Sequence, residues 1–211
     1  MAGFDETVDW VVAGSGAGSM ASALVMRKAG KSVLILEKSP FVGGTTAKSG
    51  GVIWVPNNRF MREAGAADST EAAIAYLDAV VGDDSLTPGS THEKRLAYVT
   101  EAPRMIDFLV GEGVQLERAS AFWPDYYDEL PGGCKTSRCV VAELFDTRAL
   151  GPWAGKLRQG FLPVPARLEE GMKLPYYKRS REGRRMFLNV ALRTAYAGLT
   201  DVRLRFRLTT D

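Results

Sequence analysis

The chain has 211 residues, of which 45% are hydrophobic and 25% are charged, a balance typical of a soluble globular protein. Its 27 basic and 25 acidic residues give a net charge of +2, which argues against nucleic acid or an anionic membrane surface as a partner. No apolar run approaches the roughly 20 residues that a helix needs to cross a bilayer, so no transmembrane segment is expected.

The N-terminal part of the sequence predicts a βαβ unit. Acidic residues precede the first apolar run, so the start of the chain is not expected to be a signal peptide. Residues 8–13 and 32–36 are short, β-branched runs of the kind found in buried parallel strands. Residues 21–29 between them predict a helix that ends at Gly30, and strand, glycine turn, helix and strand together make the unit.

The turn between the first strand and the helix has the composition of a phosphate-binding loop. Gly14 permits a tight bend, and Gly16 lets the backbone approach a pyrophosphate. The start of the helix offers unpaired N–H groups and the positive end of its dipole to the phosphates. Ser19 stands where the third glycine of the motif would fall, and its small side chain still permits close packing of helix on strand. The predicted cofactor-binding residues of this turn are Gly14, Ser15, Gly16, Ala17, Gly18 and Ser19.

A second group of candidate cofactor residues follows the second strand. Glu37 closes that strand, where a carboxylate accepts hydrogen bonds from ribose hydroxyls and repels the 2′-phosphate of NADP. The stretch 43–51 is rich in glycine and small side chains, so its N–H groups can reach phosphate and flavin oxygens beside a flat ring. Composition alone would also fit any flexible loop. The predicted cofactor-binding residues here are Glu37, Lys38, Gly43, Gly44, Thr45, Thr46, Ser49, Gly50 and Gly51.

The middle of the chain is predicted to be mainly helical. Residues 52–55 predict a short strand, after which Asp68 and Glu71 have the spacing of a capping box for a helix that ends near Val81. Two further helices are expected at residues 93–99 and 101–112, the second with Pro103 in its first turn. His92 is the one histidine and lies in a polar stretch, so we expect a surface residue rather than a metal ligand, and no metal site.

The last part of the chain has weaker patterns. Residues 119–138 and 151–175 are predicted as irregular segments, residues 186–196 as a helix and residues 202–208 as a half-exposed strand. A local basic cluster is expected to be a solvated loop rather than a binding site; it comprises Lys178, Arg179, Arg181, Arg184 and Arg185. Only two strong parallel strands are visible, so residues 1–211 are expected to be an incomplete domain of a longer protein.

The spacing from Gly14 through Glu37 to the second glycine block resembles that of the fumarate reductase and succinate dehydrogenase flavoprotein superfamily. Within it, the sequence is most similar to the FAD-dependent 3-ketosteroid dehydrogenases. The similarity is strong over residues 8–83 and patchy to about residue 150. The other segments that carry it are Ile53-Trp54-Val55-Pro56, Asp68 to Glu71, Tyr76-Leu77, Gly82-Asp83 and Phe122 to Tyr127.

This resemblance implies an α/β fold, the N-terminal segment of a Rossmann-like FAD-binding domain with helical and loop additions. Its βαβ core would span about residues 8–56, and the substrate-side cap domain would be absent from this chain. Because no histidine lies between residues 37 and 51, FAD is expected to bind without a covalent bond. The implied substrate is a 3-ketosteroid, and the electron acceptor is unknown.

The resemblance also implies a reaction. A carbon–carbon bond beside the ketone is dehydrogenated, with hydride passing to the flavin and a proton to a tyrosine base beyond residue 211. Tyr126 is implied as the catalytic residue of this chain, because a neighbouring phenol can stabilise the anion of that base by a hydrogen bond. Packing among Phe122, Trp123 and Tyr127 is the structural alternative for Tyr126. The family's Gly-Arg-Ser segment corresponds to residues 137–139, which keep the arginine at Arg138.

Two other functions and the cellular location complete the expectations. A fumarate reductase-like or other enone-reducing flavoenzyme of the same superfamily would share the glycine blocks, and an inactive product of a truncated gene would share every motif. Cys134 and Cys139 are too few for a disulfide framework, so free thiols in a reducing cytoplasm are expected.

Overall fold

The structure is a computed structural model, and it describes residues 3–119, 123–160, 165–200 and 204–206. The chain divides into two compact units. The first unit comprises Met1–Gly51 together with Glu143–Asp211, and the second unit comprises Val52–Ala142. Within the described residues, no helix is long and apolar enough to cross a membrane.

The chain begins with the expected βαβ arrangement. Strand β1 (Trp10–Ala13), helix α1 (Ala17–Lys28) and strand β2 (Val33–Leu36) follow one another, and the two strands pair in parallel from Trp10↔Val33 to Ala13↔Leu36. The prediction that α1 starts at residue 21 was wrong by one turn. Gly16 is extended and serves as the N-cap, and the small residues that follow it enter the helix at once.

Burial of these strands is lower than the sequence indicated. Val12 of β1 is buried, but Val11 is 56% exposed and Leu36 at the end of β2 is 55% exposed. Parallel strands are buried on both faces only where both faces are covered, and here α1 packs on the pair. Most side chains of β1 and β2 therefore remain at least partly accessible among the described residues.

The second unit contains helices and a small antiparallel sheet. In chain order these are β3 (Ile53–Trp54), α2 (Arg59–Glu63), α3 (Thr70–Val81), α4 (His92–Gly111), β4 (Leu116–Arg118) and β5 (Cys139–Ala142). Strand β5 lies between β3 and β4, with the registers Ile53↔Val140 and Leu116↔Ala142. The most buried apolar side chains are those of Val55, Met61, Val99, Ile106 and Val140.

Two helix predictions in this unit were wrong. Ser69, not Asp68, is the N-cap of α3, and its side chain accepts a hydrogen bond from the N–H of Ala72. The two helices predicted over residues 93–112 are one helix, α4, with Pro103 in its interior. Proline removes one hydrogen bond there, but α4 still packs a full apolar face that includes Val99 and Ile106, and packing decides helix stability in proteins.

The chain then returns to the first unit. Strand β6 (Leu144–Asp146) pairs with β7 (Leu204–Phe206), and between them lie a 3₁₀ segment (Thr147–Lys156), α5 (Leu168–Lys173), a second 3₁₀ segment (Leu174–Arg179) and α6 (Arg181–Thr200). Residues 151–175 are therefore not one irregular loop. The basic cluster of residues 178–185 is exposed as expected, but it lies on the second 3₁₀ segment and the start of α6.

Candidate functional site

The glycine turn joins the ends of the two parallel strands. Gly14 has a φ of +89°, a conformation that a side chain would strain, and its N–H donates to the carbonyl of Leu36 at 2.7 Å. Gly16 has no side chain with which to cap α1, so the first turn of the helix is open to an external acceptor. The N–H of Ala17 donates to Oγ1 of Thr46 at 3.1 Å. The turn is thus a fixed backbone structure at a helix N-terminus, which favours anions.

Glu37 is held at the end of β2 by three hydrogen bonds. Ser15 donates twice to Oε2, from its N–H at 3.0 Å and from its hydroxyl at 2.6 Å, and the N–H of Ser39 donates to Oε1 at 3.0 Å. These bonds, that of the Ser15 hydroxyl first, lower the pKa of the Glu37 carboxyl below its ordinary value. Because a carboxylate accepts about four hydrogen bonds, it keeps room for a hydroxyl group of a ligand.

The second glycine block meets the first at close range. Gly43 and Gly44 both have positive φ, and the N–H of Gly43 donates to Oγ of Ser15 at 2.9 Å. A Cβ added to Gly44 would lie 3.3 Å from Cα of Gly16, so glycine at both positions allows the two backbones to touch. The residues that the fold brings together are Ser15, Gly16, Ala17, Glu37, Gly43, Gly44 and Thr46.

The other predicted cofactor residues lie around this cluster. Lys38 and Thr45 are exposed, as is Gly18 in the first turn of α1. The hydroxyl of Ser19 donates to the carbonyl of Ala13 at 3.3 Å, which ties α1 to β1. The remaining three follow the 3₁₀ turn Thr46–Lys48: Ser49 accepts from the N–H of Gly51, Gly50 packs on Leu168, and Gly51 is buried.

A cavity of about 670 Å³ adjoins the cluster in the first unit. Ser15, Ala17, Glu37, Gly43 and Thr46 line it on one side. A second wall comes from a segment that no sequence pattern indicated, and its lining residues are Ala149, Leu150, Trp153, Lys156 and Leu157.

Backbone pairing holds this second wall in place. The N–H of Val42 donates to the carbonyl of Lys156 at 2.8 Å, and the N–H of Arg158 donates to the carbonyl of Val42 at 2.9 Å. The Arg158 guanidinium also donates to Oγ of Ser39 at 3.0 Å and helps to lower the pKa of Glu37. A 3₁₀ segment has no apolar repeat of its own, so its sequence carried no signal of this role.

The residues that carry the tyrosine motif form a closed loop in the second unit, here called the tyrosine loop (residues 125–134). The N–H of Asp125 donates to the carbonyl of Cys134 at 3.0 Å, and the N–H of Cys134 donates back to Oδ2 of Asp125 at 3.0 Å. Tyr126 is 98% exposed, so the described residues, Trp123 and Tyr127 among them, do not enclose it. Residue 122 lies outside the described residues.

Arg138 lies at the base of the tyrosine loop and is only 1% exposed. Its guanidinium donates to Asp68 at 2.6 and 3.0 Å, to Asp125 at 2.7 Å and to the carbonyl of Gly132 at 3.0 Å. The cation also lies over the rings of Trp54 and Tyr76, with 5.5 and 5.7 Å from its central carbon to their centroids. Asp68, which the sequence suggested as a helix cap, is in fact a ligand of this arginine.

Comparison with known proteins identifies the class to which this arrangement belongs. Residues 9–197 match the FAD binding domain family, and the chain belongs to that family. The FAD cofactor and the α/β FAD-binding fold predicted from the sequence are thereby confirmed.

Several individual relatives are dehydrogenases of cyclic ketones. The chain is 34% identical over 200 residues to a 3-oxosteroid 1-dehydrogenase of Mycolicibacterium smegmatis, a match that covers 93% of this chain and 34% of that protein. It is 41% identical over 155 residues to a 4-oxocyclohexanecarboxylate 2-dehydrogenase of Sinomonas cyclohexanicum, covering 72% of this chain and 26% of that protein. The chain therefore spans about a third of the length of the 3-oxosteroid 1-dehydrogenases of Mycolicibacterium smegmatis and Mycobacterium tuberculosis that it matches.

A solved structure agrees with the sequence relatives. The crystal structure of 3-ketosteroid Δ1-dehydrogenase from Sterolibacterium denitrificans, in complex with 1,4-androstadiene-3,17-dione, superposes with a TM-score of 0.72 at 30% identity. The match covers 92% of this chain and 33% of that one. The predicted relationship to 3-ketosteroid dehydrogenases is confirmed.

Proposed function

We propose that this chain is the cofactor-binding part of an FAD-dependent enzyme that dehydrogenates a carbon–carbon bond beside the ketone of a 3-ketosteroid. The observation that carries the proposal is the structural match, at 30% identity over 92% of the chain, to a 3-ketosteroid Δ1-dehydrogenase. Bound FAD supplies the hydride acceptor of such a reaction. The residues of this chain bind and orient that cofactor and support the accompanying proton transfer.

The arrangement around Glu37 fits the ADP half of FAD. The hydrogen bonds from Ser15 and Ser39 leave one acceptor position of the Glu37 carboxylate free. At that position Glu37 accepts a hydrogen bond from a ribose hydroxyl. The N–H group of Gly18, at the start of α1, binds the pyrophosphate, while that of Ala17 donates to Thr46. The block that ends at Gly51 continues along the cofactor, where its small side chains leave room for the flavin ring.

Two further features of the proposal concern the bond to FAD and the compartment. FAD is held without a covalent bond, because the single histidine of the sequence, His92, lies far along the chain from the glycine blocks. The two cysteines, Cys134 and Cys139, are free thiols, which supports a reducing compartment such as the cytoplasm.

Tyr126 is the residue of this chain to which we assign a role in proton transfer. Among the described residues, no side chain packs over its phenol, since it is 98% exposed. A phenol in that position donates a hydrogen bond to the tyrosine base that the family relationship implies, and stabilises the anion of that base.

Steady-state kinetics on the complete polypeptide encoded by the gene test this function. Androst-4-ene-3,17-dione is the substrate, an artificial dye is the electron acceptor, and the product is followed by chromatography. We expect a flavin-dependent conversion to 1,4-androstadiene-3,17-dione, with loss of the visible flavin absorbance when the dye is omitted. A flavin-loaded enzyme that neither bleaches nor forms a 1,2-unsaturated product would refute the proposal.

A smaller cyclic ketone is the second candidate substrate. The 41% identity to a 4-oxocyclohexanecarboxylate 2-dehydrogenase exceeds the 34% identity to a 3-oxosteroid 1-dehydrogenase, although over fewer residues. The reaction type is the same, so the cofactor residues do not distinguish the two. The ratio of kcat/KM values for 4-oxocyclohexanecarboxylate and for the steroid, measured on one preparation, decides between them.

A further inference from the structure

Three segments of the second unit meet at the guanidinium of Arg138. Asp68 precedes α3, Asp125 opens the tyrosine loop, and the carbonyl of Gly132 lies near its end. One planar side chain with five N–H donors therefore clamps both ends of the loop to the helix that packs beside it.

The tyrosine loop is tightly fitted as well as clamped. Gly132 has a φ of +73°, and a Cβ there would lie 2.0 Å from the carbonyl oxygen of Ala72 in α3. Trp54 donates from its indole N–H to Oδ1 of Asp125 at 2.7 Å, so both carboxylate oxygens of Asp125 are engaged. The loop cannot move away from Arg138 without breaking several charge-assisted hydrogen bonds at once.

Tyr126 depends on this clamp for its position. It directly follows Asp125 in the chain, and its side chain projects from the loop with 98% exposure. Because little packs on the ring of Tyr126, the point from which the side chain projects is set by its backbone alone. The backbone at this point is fixed by Asp125, and Asp125 is fixed by Arg138.

We infer that Arg138 is a positioning residue for Tyr126, acting through Asp125 and the carbonyl of Gly132. This inference rests on the proposed function, in which Tyr126 takes part in proton transfer. A buried cation between two carboxylates is not required for stability, because well-packed apolar groups can replace such clusters with little loss. The planar guanidinium of Arg138 instead fixes the directions of its hydrogen bonds, which apolar groups in its place would not do.

The same unit contains a matched control. Arg95 is also buried, at 6% exposure, and its guanidinium likewise binds two aspartates, Asp78 at 2.7 Å and Asp84 at 2.9 Å, and one carbonyl, that of Ser90. All of its acceptors lie in residues 78–90, away from the tyrosine loop in sequence. Replacing either arginine with lysine removes the fork and keeps the charge.

The experiment compares Arg138→Lys with Arg95→Lys in the flavin-loaded complete polypeptide. We expect both variants to have a lower Tm. Only Arg138→Lys should also have a lower kcat for the ketosteroid, by about 10- to 100-fold per bound flavin, with a smaller change in KM. Small displacements of a reacting group have effects of this size. Chymotrypsin cleaves after tyrosine, and it should cut at Tyr126 or Tyr127 about tenfold faster in Arg138→Lys but not in Arg95→Lys. The loss of one charge-assisted hydrogen bond that holds the loop closed gives a factor of this size.

Equal behaviour of the two variants, with Tm lowered and kcat per flavin retained in both, would overturn the inference. If Arg138→Lys does not fold, Asp125→Asn and its control Asp84→Asn replace the pair under the same criteria. If the unmodified protein binds FAD but does not dehydrogenate the steroid, the proposed function fails, and chymotryptic cleavage alone then tests the clamp. Unchanged cleavage at Tyr126 and Tyr127 would overturn it.

Discussion

The hydroxyl of Ser15 lies 2.6 Å from Oε2 of Glu37 and links the glycine turn to the end of the second strand. The same hydroxyl accepts the N–H of Gly43 at 2.9 Å, so it completes its own hydrogen bonding inside the protein. Ser15 is buried, so its hydroxyl acts mainly within this network. In the proposed site, its effect on a nucleotide would be exerted through the carboxylate of Glu37.

Replacing Ser15 with alanine should lower stability near neutral pH and make stability depend less on pH in the acid range. The Ser15 hydroxyl is the largest cause of the lowered pKa of Glu37, followed by the N–H of Ser39. A carboxyl group whose pKa is lower in the folded state stabilises the fold above its unfolded pKa and loses that contribution as pH falls through the folded pKa. Without the hydroxyl the folded pKa rises towards the ordinary value, so this stabilising contribution becomes smaller. The Tm of Ser15→Ala should therefore lie below that of the unmodified protein near neutral pH, and the difference should shrink as pH falls through the folded pKa of Glu37.

The control for this variant is Ser22→Ala, on the same helix, where the hydroxyl accepts from the indole of Trp10. Any difference in Tm between Ser22→Ala and the unmodified protein should be the same at every pH. A Tm difference for Ser15→Ala that likewise does not change with pH would contradict the role assigned to the Ser15 hydroxyl.

Glu37→Gln should weaken FAD binding while the protein remains folded. The amide keeps part of the hydrogen bonding to Ser39 and to a ribose hydroxyl but loses the charge that strengthens those bonds, so an increase in Kd of about 10-fold is expected. Flavin fluorescence titration measures Kd, and Glu71→Gln in the exposed first turn of α3 is the charge-matched control. A Kd equal to that of the unmodified protein would remove Glu37 from the cofactor site.

Gly43→Ala should destabilise the first unit. The residue has a φ of +102°, and the new Cβ would lie 2.6 Å from Cβ of Ala47, so both backbone strain and a clash are introduced. A loss of about 1–3 kcal/mol in the free energy of unfolding is expected from strain of this kind. Gly89→Ala, where no atom lies within 4 Å of the new Cβ, is the control, and denaturant unfolding of both is the measurement. Equal stability of the two variants would contradict the packing described for the second glycine block.

Tyr126→Phe should lower turnover without lowering stability. The hydroxyl belongs to a side chain that is 98% exposed, so its removal leaves packing, FAD content and Tm nearly unchanged. General acid–base groups contribute about 10²–10⁴-fold to rates, and an assisting phenol accounts for part of that, mainly in kcat. The control is Tyr176→Phe, another exposed tyrosine. Unchanged kcat in Tyr126→Phe, measured per bound flavin, would remove this residue from the reaction.

The sequence predicted the parts of the fold that rest on local patterns. The βαβ unit and the glycine turn follow from short-range periodicity and from the need for glycine at Gly14, so both could be anticipated. Asp68 shows the limit of that reasoning. A carboxylate before a helix has the pattern of a cap, and only the fold shows that Arg138, distant in sequence, binds it instead.

The second wall of the cavity shows the same limit for the candidate site. Trp153 and Lys156 line it through a pairing of Val42 with Leu157, a contact between segments that no local signal connects. The merging of two predicted helices through Pro103 has a related cause. Burial of the apolar face of α4 outweighs the tendency of Pro103 to end a helix.

The hydrogen bond from Gly43 to Ser15 means that one hydroxyl orders two parts of the proposed site. It holds the segment expected beside the flavin, and it also orients the Glu37 carboxylate that is expected to bind the ribose. In the proposed FAD site, much of the conformational entropy of the second glycine block is therefore lost during folding rather than during binding. Because the binding segment is already ordered, the contacts to the ADP half and to the flavin half of FAD both add to affinity, and no entropy is spent on ordering that segment. Free ADP and free riboflavin should accordingly each bind weakly. FAD joins the two, and it should bind far more tightly than their separate affinities and a millimolar effective concentration together predict.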